Sequence, residues 1–138
     1  MMISNHRITL VPSNKGKSWI DGNRVTCRVV SEDQLGGYSL FEITVPPQSG
    51  LPAHIHHWEK EAYYIIEGEL LIQEGDRTFM ASAGSFVDFP QGILHTFKNV
   101  GTASARLLAV VTPAWYGKFF EEWANQQRQN PRRLRLVR

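Results

Sequence analysis

The chain has 138 residues, 42% of them hydrophobic and 20% charged, with a formal net charge of +2. That is the size and composition of one folded domain with a real apolar core, which excludes a disordered or fibrous chain. No apolar run approaches the roughly 18 residues a membrane helix needs, and the near-neutral balance argues against a broad nucleic-acid-binding surface.

In chain order, the opening stretch MMISNHRITLVPSNKGKSW has no cationic region followed by an apolar core, so no secretory signal is read and a cytoplasmic protein is expected. RVTCRVVS (24–31) and YSLFEITV (38–45) are rich in β-branched and aromatic residues and bounded by Gly-Gly and Pro-Pro, the marks of strands. Cys27, the only cysteine, cannot form an internal disulfide and reads as a small buried hydrophobe. From Glu61 to Val100, short apolar runs are broken at Gly68, Gly75-Asp76, Gly84 and Pro90-Gln91-Gly92; ARLLAVVT (105–112) is a further strand. Many short strands at close spacing predict an all-β antiparallel sandwich or barrel, with residues 1–138 as one domain.

After Thr112-Pro113 the period changes. AWYGKFFEEWANQQRQ places Trp115, Phe119 and Trp123 at i, i+4 and i+8, opposite Lys118, Glu121, Glu122, Asn125 and Gln126. That predicts an amphipathic helix over about 113–128, with Thr112 as N-cap and Pro113 at its first position. Its acidic, amide-rich polar face disfavours a membrane surface, so it is expected to pack on the barrel or on a second subunit. Residues 131–138, PRRLRLVR, are basic but carry no interleaved aromatics, and read as a solvated tail with neither nucleic-acid nor membrane partners.

The densest chemistry lies in HIHHWEKE, residues 54–61. In a strand, residues two apart share a face, so His54 and His56 converge while His57 points elsewhere. Pairs at this spacing are also common on ordinary surfaces. Glu61 opens the strand EAYYIIEG, and a hairpin returning after Gly68 beside the His54–His56 strand would bring Glu61 to the same inward face. His95 follows a Pro-x-Gly turn and shares a face with Phe97, and a buried histidine needs a partner. Three imidazoles and one carboxylate then form a candidate first shell. With a single cysteine, a sulfur-rich structural zinc site is excluded.

These residues carry a family resemblance. Gly50, His54-x-His56, four residues, Glu61, six residues and Gly68 resembles the first motif of the cupin superfamily. Gly84, five residues, Pro90-x-Gly92, two residues, His95, three residues and Asn99 resembles the second. The motifs occupy 50–68 and 84–99, and the 15 residues between them are similar to the short interval of small single-domain bacterial cupins. One departure stands: three residues separate Gly50 from His54, where the family pattern has five. The resemblance implies a double-stranded β-helix, or jelly-roll barrel. It also implies one divalent transition metal (Fe, Mn, Ni, Cu, Co or Zn) held by His54, His56, Glu61 and His95. Gly68, Gly84, Pro90 and Gly92 would shape turns, and Asn99 has no evident chemical duty. His57 and Glu59 are left as loop residues beside Trp58, at the mouth.

YSLFEITVPP and HIHHWEKEAYYIIEGEL together resemble small bacterial cupins grouped with quercetin dioxygenase-like enzymes. That resemblance implies a dioxygenase acting on a small enolic or phenolic, flavonol-like compound, with Glu61 as the catalytic group that takes its proton. Alternation turns Tyr63 and Phe97 inward, so these two, Phe41 and the loop residue Trp58 are the expected substrate contacts. The alternatives are an oxygen-independent isomerase, epimerase or lyase, and a small-molecule-binding barrel without turnover. No cluster of Arg or Lys surrounds the motifs to receive a sugar phosphate. A homodimer is expected.

Overall fold

The computed structural model describes residues 8, 10–15, 17–21, 23–30 and 37–112. The helix expected over 113–128 and the basic tail over 131–138 lie outside the described residues, as does the side chain of Cys27. The described strands are β1 (Lys17–Asp21), β2 (Asn23–Val30), β3 (Ser39–Val45), β4 (Lys60–Glu67) and β5 (Glu69–Glu74), then β6 (Arg77–Ser82), β7 (Phe86–Phe89), β8 (His95–Lys98) and β9 (Ala105–Thr112). They form a six-stranded sheet in the order β1-β2-β3-β9-β4-β7 and a three-stranded sheet in the order β6-β5-β8. Every pairing is antiparallel, so the all-β, two-sheet jelly-roll architecture stands. The strands expected at 24–31, 38–45 and 105–112 are β2, β3 and β9. Among the described residues, no helix is long and apolar enough to cross a membrane.

Period-two burial explains the strands. β3 buries Phe41, Ile43 and Val45; β4 buries Tyr63 and Ile65; β9 buries Ala105, Leu107, Ala109 and Val111. Registers fit these side chains by size. Ala109 stands opposite Phe41 on one side and Tyr63 on the other, so the small residue makes room for two rings. Leu70 and Ile72 of β5 and Phe97 of β8 join the same cluster. Each large apolar side chain so buried stabilises the fold by about 1.5–3 kcal/mol relative to exposure.

The expected hairpin between the Glu61 strand and its successor does not form. β4 pairs with β7 and β9, whereas β5, on the far side of Gly68, pairs with β6 and β8. Gly68 has φ +79°, and a Cβ there would come 3.0 Å from the Cα of Ala105. Only glycine takes this tight left-handed step, which carries the chain out of the large sheet into the small one. The strand neighbour of His54 is therefore not the β4 hairpin but β8, through an isolated bridge to His95. Gly84 and Gly92 also have positive φ, as turn-shaping positions require.

A second bridge, Gly50 to Lys98, seats the segment before His54 along β8. A Cβ on Gly50 would lie 2.3 Å from the carbonyl oxygen of Phe97, so the backbones touch without a side chain between them. Gly50→Ala is expected to lower stability by about 1–3 kcal/mol, as forced overpacking does, with the shift read from a denaturant midpoint. Asn99 acquires a structural duty. It is buried, its Nδ2 donates to the carbonyls of Val45 (2.9 Å) and Ala103 (2.8 Å), and its Oδ1 accepts from the Gly101 amide at 2.9 Å.

Candidate metal centre

The four candidate ligands come from three places in the chain and meet at one end of the barrel. Glu61 is the second residue of β4 and faces Phe89 of β7 and Val111 of β9. His95 opens β8. His54 exchanges both backbone hydrogen bonds with it, N to O at 2.9 Å in each direction, so the two motifs are joined at the ligands themselves. His54, His56, Glu61 and His95 are 1%, 3%, 4% and 1% exposed, and one donor atom from each lies within 4.8 Å of the others.

Their orientation fits a cation. Around Glu61 Oε1 stand His95 Nε2 at 2.8 Å, His56 Nε2 at 3.5 Å and His54 Nε2 at 3.9 Å. Two of the rings are turned by main-chain carbonyls: His54 Nδ1 lies 2.9 Å from Pro52 O, and His95 Nδ1 3.1 Å from Ile93 O. A carbonyl only accepts, so each Nδ1 carries the proton, and a neutral ring then aims a bare Nε2 lone pair inward. A lone pair and a carboxylate oxygen at 2.8 Å repel unless a proton or a metal ion lies among them. Hydrogen-bonding the outer nitrogen while the inner one faces a shared point is how ligating histidines are held. Three nitrogens and one oxygen leave further coordination positions open for a reacting molecule.

The electrostatics agree. Burial pushes the Glu61 carboxyl up, but the His54 and His95 side chains that face it, and after them His56, outweigh burial and hold the group well below the usual carboxylate range. Burial, reinforced by His54 and His95 and opposed by Glu61, lowers His56, which favours the neutral, metal-ready ring. Burial and the adjacent Glu61 carboxylate push the Tyr63 hydroxyl well above its ordinary range and keep it protonated.

The remaining expected residues divide. Phe41, Tyr63 and Phe97 lie inside the barrel, each almost wholly buried, while Trp58 is 68% exposed and His57 is exposed beside it. The loop carrying these two is tied to the second motif, because the Gly92 amide donates to His56 O at 2.8 Å and Gln91 Nε2 to Trp58 O at 2.9 Å. Phe89 escaped the sequence reading. Its ring stacks on His95 with centroids 4.3 Å apart and meets Tyr63 edge-on at 4.7 Å, supporting one ligand and the neighbour of another. The alternation Val87, Phe89 was a signal of inward placement, but contact with His95 depends on pairings between distant strands.

Against known proteins, a family model described as Cupin domain matches residues 41–111. Mannose-1-phosphate guanylyltransferase RfbM of Salmonella typhimurium is 24% identical over 101 residues, covering 65% of this chain and 21% of that protein. Polyketide synthase CurC of Streptomyces cyaneus is 30% identical over 67 residues, covering 49% of this chain and 44% of that one. The chain thus spans about a fifth of the guanylyltransferase and under half of the synthase. Among solved structures, the polyketide cyclase RemF from Streptomyces resistomycificus superimposes with a TM-score of 0.66 at 24% identity, covering 77% of this chain and 80% of that one. At that identity the likeness shows a shared fold.

Proposed function

The chain belongs to the cupin domain family, whose model matches more than half of its residues, and from that premise we propose that it is a metal-dependent dioxygenase acting on a small enolic or phenolic compound. The observation that carries this reading is the convergence of one carboxylate and three imidazoles on a buried point backed by aromatic rings. When bound there, a divalent ion supplies Lewis acidity that makes a substrate hydroxyl easier to deprotonate. His54, His56, Glu61 and His95 would hold the ion. Glu61, on loosening from the ion, would accept the hydroxyl proton, with the Tyr63 hydroxyl beside its carboxylate. Phe89 covers His95 and keeps water from that side. Both atoms of dioxygen enter the product, so no separate reductant is required.

Likeness to a polyketide synthase and a polyketide cyclase supports this substrate class, because a chain of alternating ketones enolises readily. The same likeness favours a second reading, an oxygen-independent ring closure or isomerisation in which Glu61 moves the same proton. A sugar-phosphate substrate has less support. Lys60, the cation next to Glu61, is exposed and paired with Asp88 at 3.6 Å, away from the cluster.

The test is to mix metal-loaded protein anaerobically with a panel of flavonols and 1,3-diketones, then admit oxygen. The expected result is a spectral shift on mixing and product only after oxygen enters. Turnover under strict anaerobiosis overturns the dioxygenase in favour of the second reading, and neither shift nor product with any compound removes both.

A further inference from the structure

We propose that Glu59 is a positioning residue of the metal centre, its carboxylate holding the His56 ring through Nδ1. This rests on the metal-binding reading above and adds to it a residue outside the four ligands. Glu59 Oε2 lies 3.7 Å from His56 Nδ1, with the two side chains 13% and 3% exposed. That oxygen is buried and has no hydrogen-bond partner among the described residues. Burial of a carboxylate oxygen is costly without a close donor, and His56 Nδ1 is the partner the structure sets nearest it.

The three imidazoles differ in what stands behind them. His54 and His95 each have a main-chain carbonyl at Nδ1, at 2.9 and 3.1 Å. His56 has the Glu59 carboxylate. The loop geometry makes this placement definite. His57 and Trp58 turn outward, while the Gly92 amide and the Gln91 side chain donate to the carbonyls of His56 and Trp58, so the next residue turns back toward the site. A metal on His56 Nε2 makes the Nδ1 proton more acidic, and a carboxylate within reach is its natural acceptor. Closing from 3.7 Å to an ordinary 2.7–2.9 Å charge-assisted bond is a shortening of about 1 Å.

Charge points the same way. A divalent ion with Glu61 alone leaves a buried centre at +1, which a dry interior disfavours. With Glu59 as well, the charges cancel. Glu59 therefore favours divalent ions and makes His56 the most strongly donating of the three nitrogens.

The experiment measures Zn(II) affinity by calorimetry for the full chain and for the Glu59→Ala, Glu59→Gln and His57→Ala variants. Proton NMR of the Zn(II)-loaded proteins follows the Nδ1–H signals of the three candidate ligand histidines. Glu59→Ala is expected to weaken binding about 10–100-fold, as loss of such a partner does. Glu59→Gln, which keeps an acceptor without the charge, falls between, and His57→Ala stays within twofold. Only the His56 signal should shift or exchange away in Glu59→Ala. Affinity within twofold of the parent in both Glu59 variants overturns the proposal, as does equal disturbance of all three signals, which would mark a general loosening of the loop. Absence of Zn(II) binding by the parent chain removes the metal centre and Glu59's role together, a result distinct from a parent that binds and a variant that binds equally well.

Discussion

Alanine at Glu61 or at His95 is expected to weaken divalent-metal binding by about 100-fold or more, whereas alanine at His57 changes it less than twofold. The magnitude follows from sharing out the binding free energy. Closed four-donor sites hold Zn(II) with about 10–16 kcal/mol, so one donor represents roughly 3 kcal/mol, or about a hundredfold. Glu61 should lie at the upper end, since it is the one negative charge among the four donors and all three Nε2 atoms stand within 4 Å of its Oε1. Alanine at His56 should cost a comparable amount. His57 is adjacent in sequence but exposed, and its ring has no part in the cluster. Calorimetry or competition against a chromophoric chelator reads all four variants. Equal losses at His56, His57 and Glu61 would overturn the assignment of faces.

Phe89→Ala carries the second large effect. The side chain is 2% exposed and fills space between His95 and Tyr63, so its removal opens a cavity under the site. Phe-to-Ala substitutions of this kind cost about 3–5 kcal/mol, a large share of the roughly 5–15 kcal/mol a domain has. Trp58→Ala is the contrasting substitution: the ring is larger, but at 68% exposure its loss should cost no more than about 0.5 kcal/mol. Denaturant midpoints measured on the metal-free protein separate the two, because metal binding would otherwise stabilise the folded state by mass action. A Phe89→Ala midpoint equal to that of the parent would show that the site does not rely on this ring.

Several features were legible in the chain because they are local. Period-two alternation is a property of a single strand, so the inward placement of Phe41, Glu61, Tyr63, Ile65, His95 and Phe97 followed from sequence and is found in the fold. The same rule separated His56 from His57 although the two are adjacent. Turn glycines are local too, since positive φ at Gly68, Gly84 and Gly92 concerns only the bond geometry of those residues.

Features that depend on which strands become neighbours were not legible. The hairpin expected beside His54 gave way to the bridge with His95, because Gly68 sends β5 into the other sheet, and no residue near His54 records that choice. Phe89 reaches His95 only because β7 and β8, in different sheets, face one another across the barrel. Glu59 sits in a loop without periodicity. Its carboxylate turns back toward His56 under hydrogen bonds from Gly92 and Gln91, more than 30 residues away.

By itself, then, the sequence determined the strand-rich class and the inward faces, both consequences of short-range spacing, while its resemblance to the cupin motifs pointed to the family and to four candidate ligands. Tertiary structure alone decided how those ligands meet, which rings support them and where the Glu59 carboxylate points. The reason is physical: side-chain direction is set by backbone dihedrals within a few residues, whereas contact across the barrel is set by the packing and pairing of the whole fold.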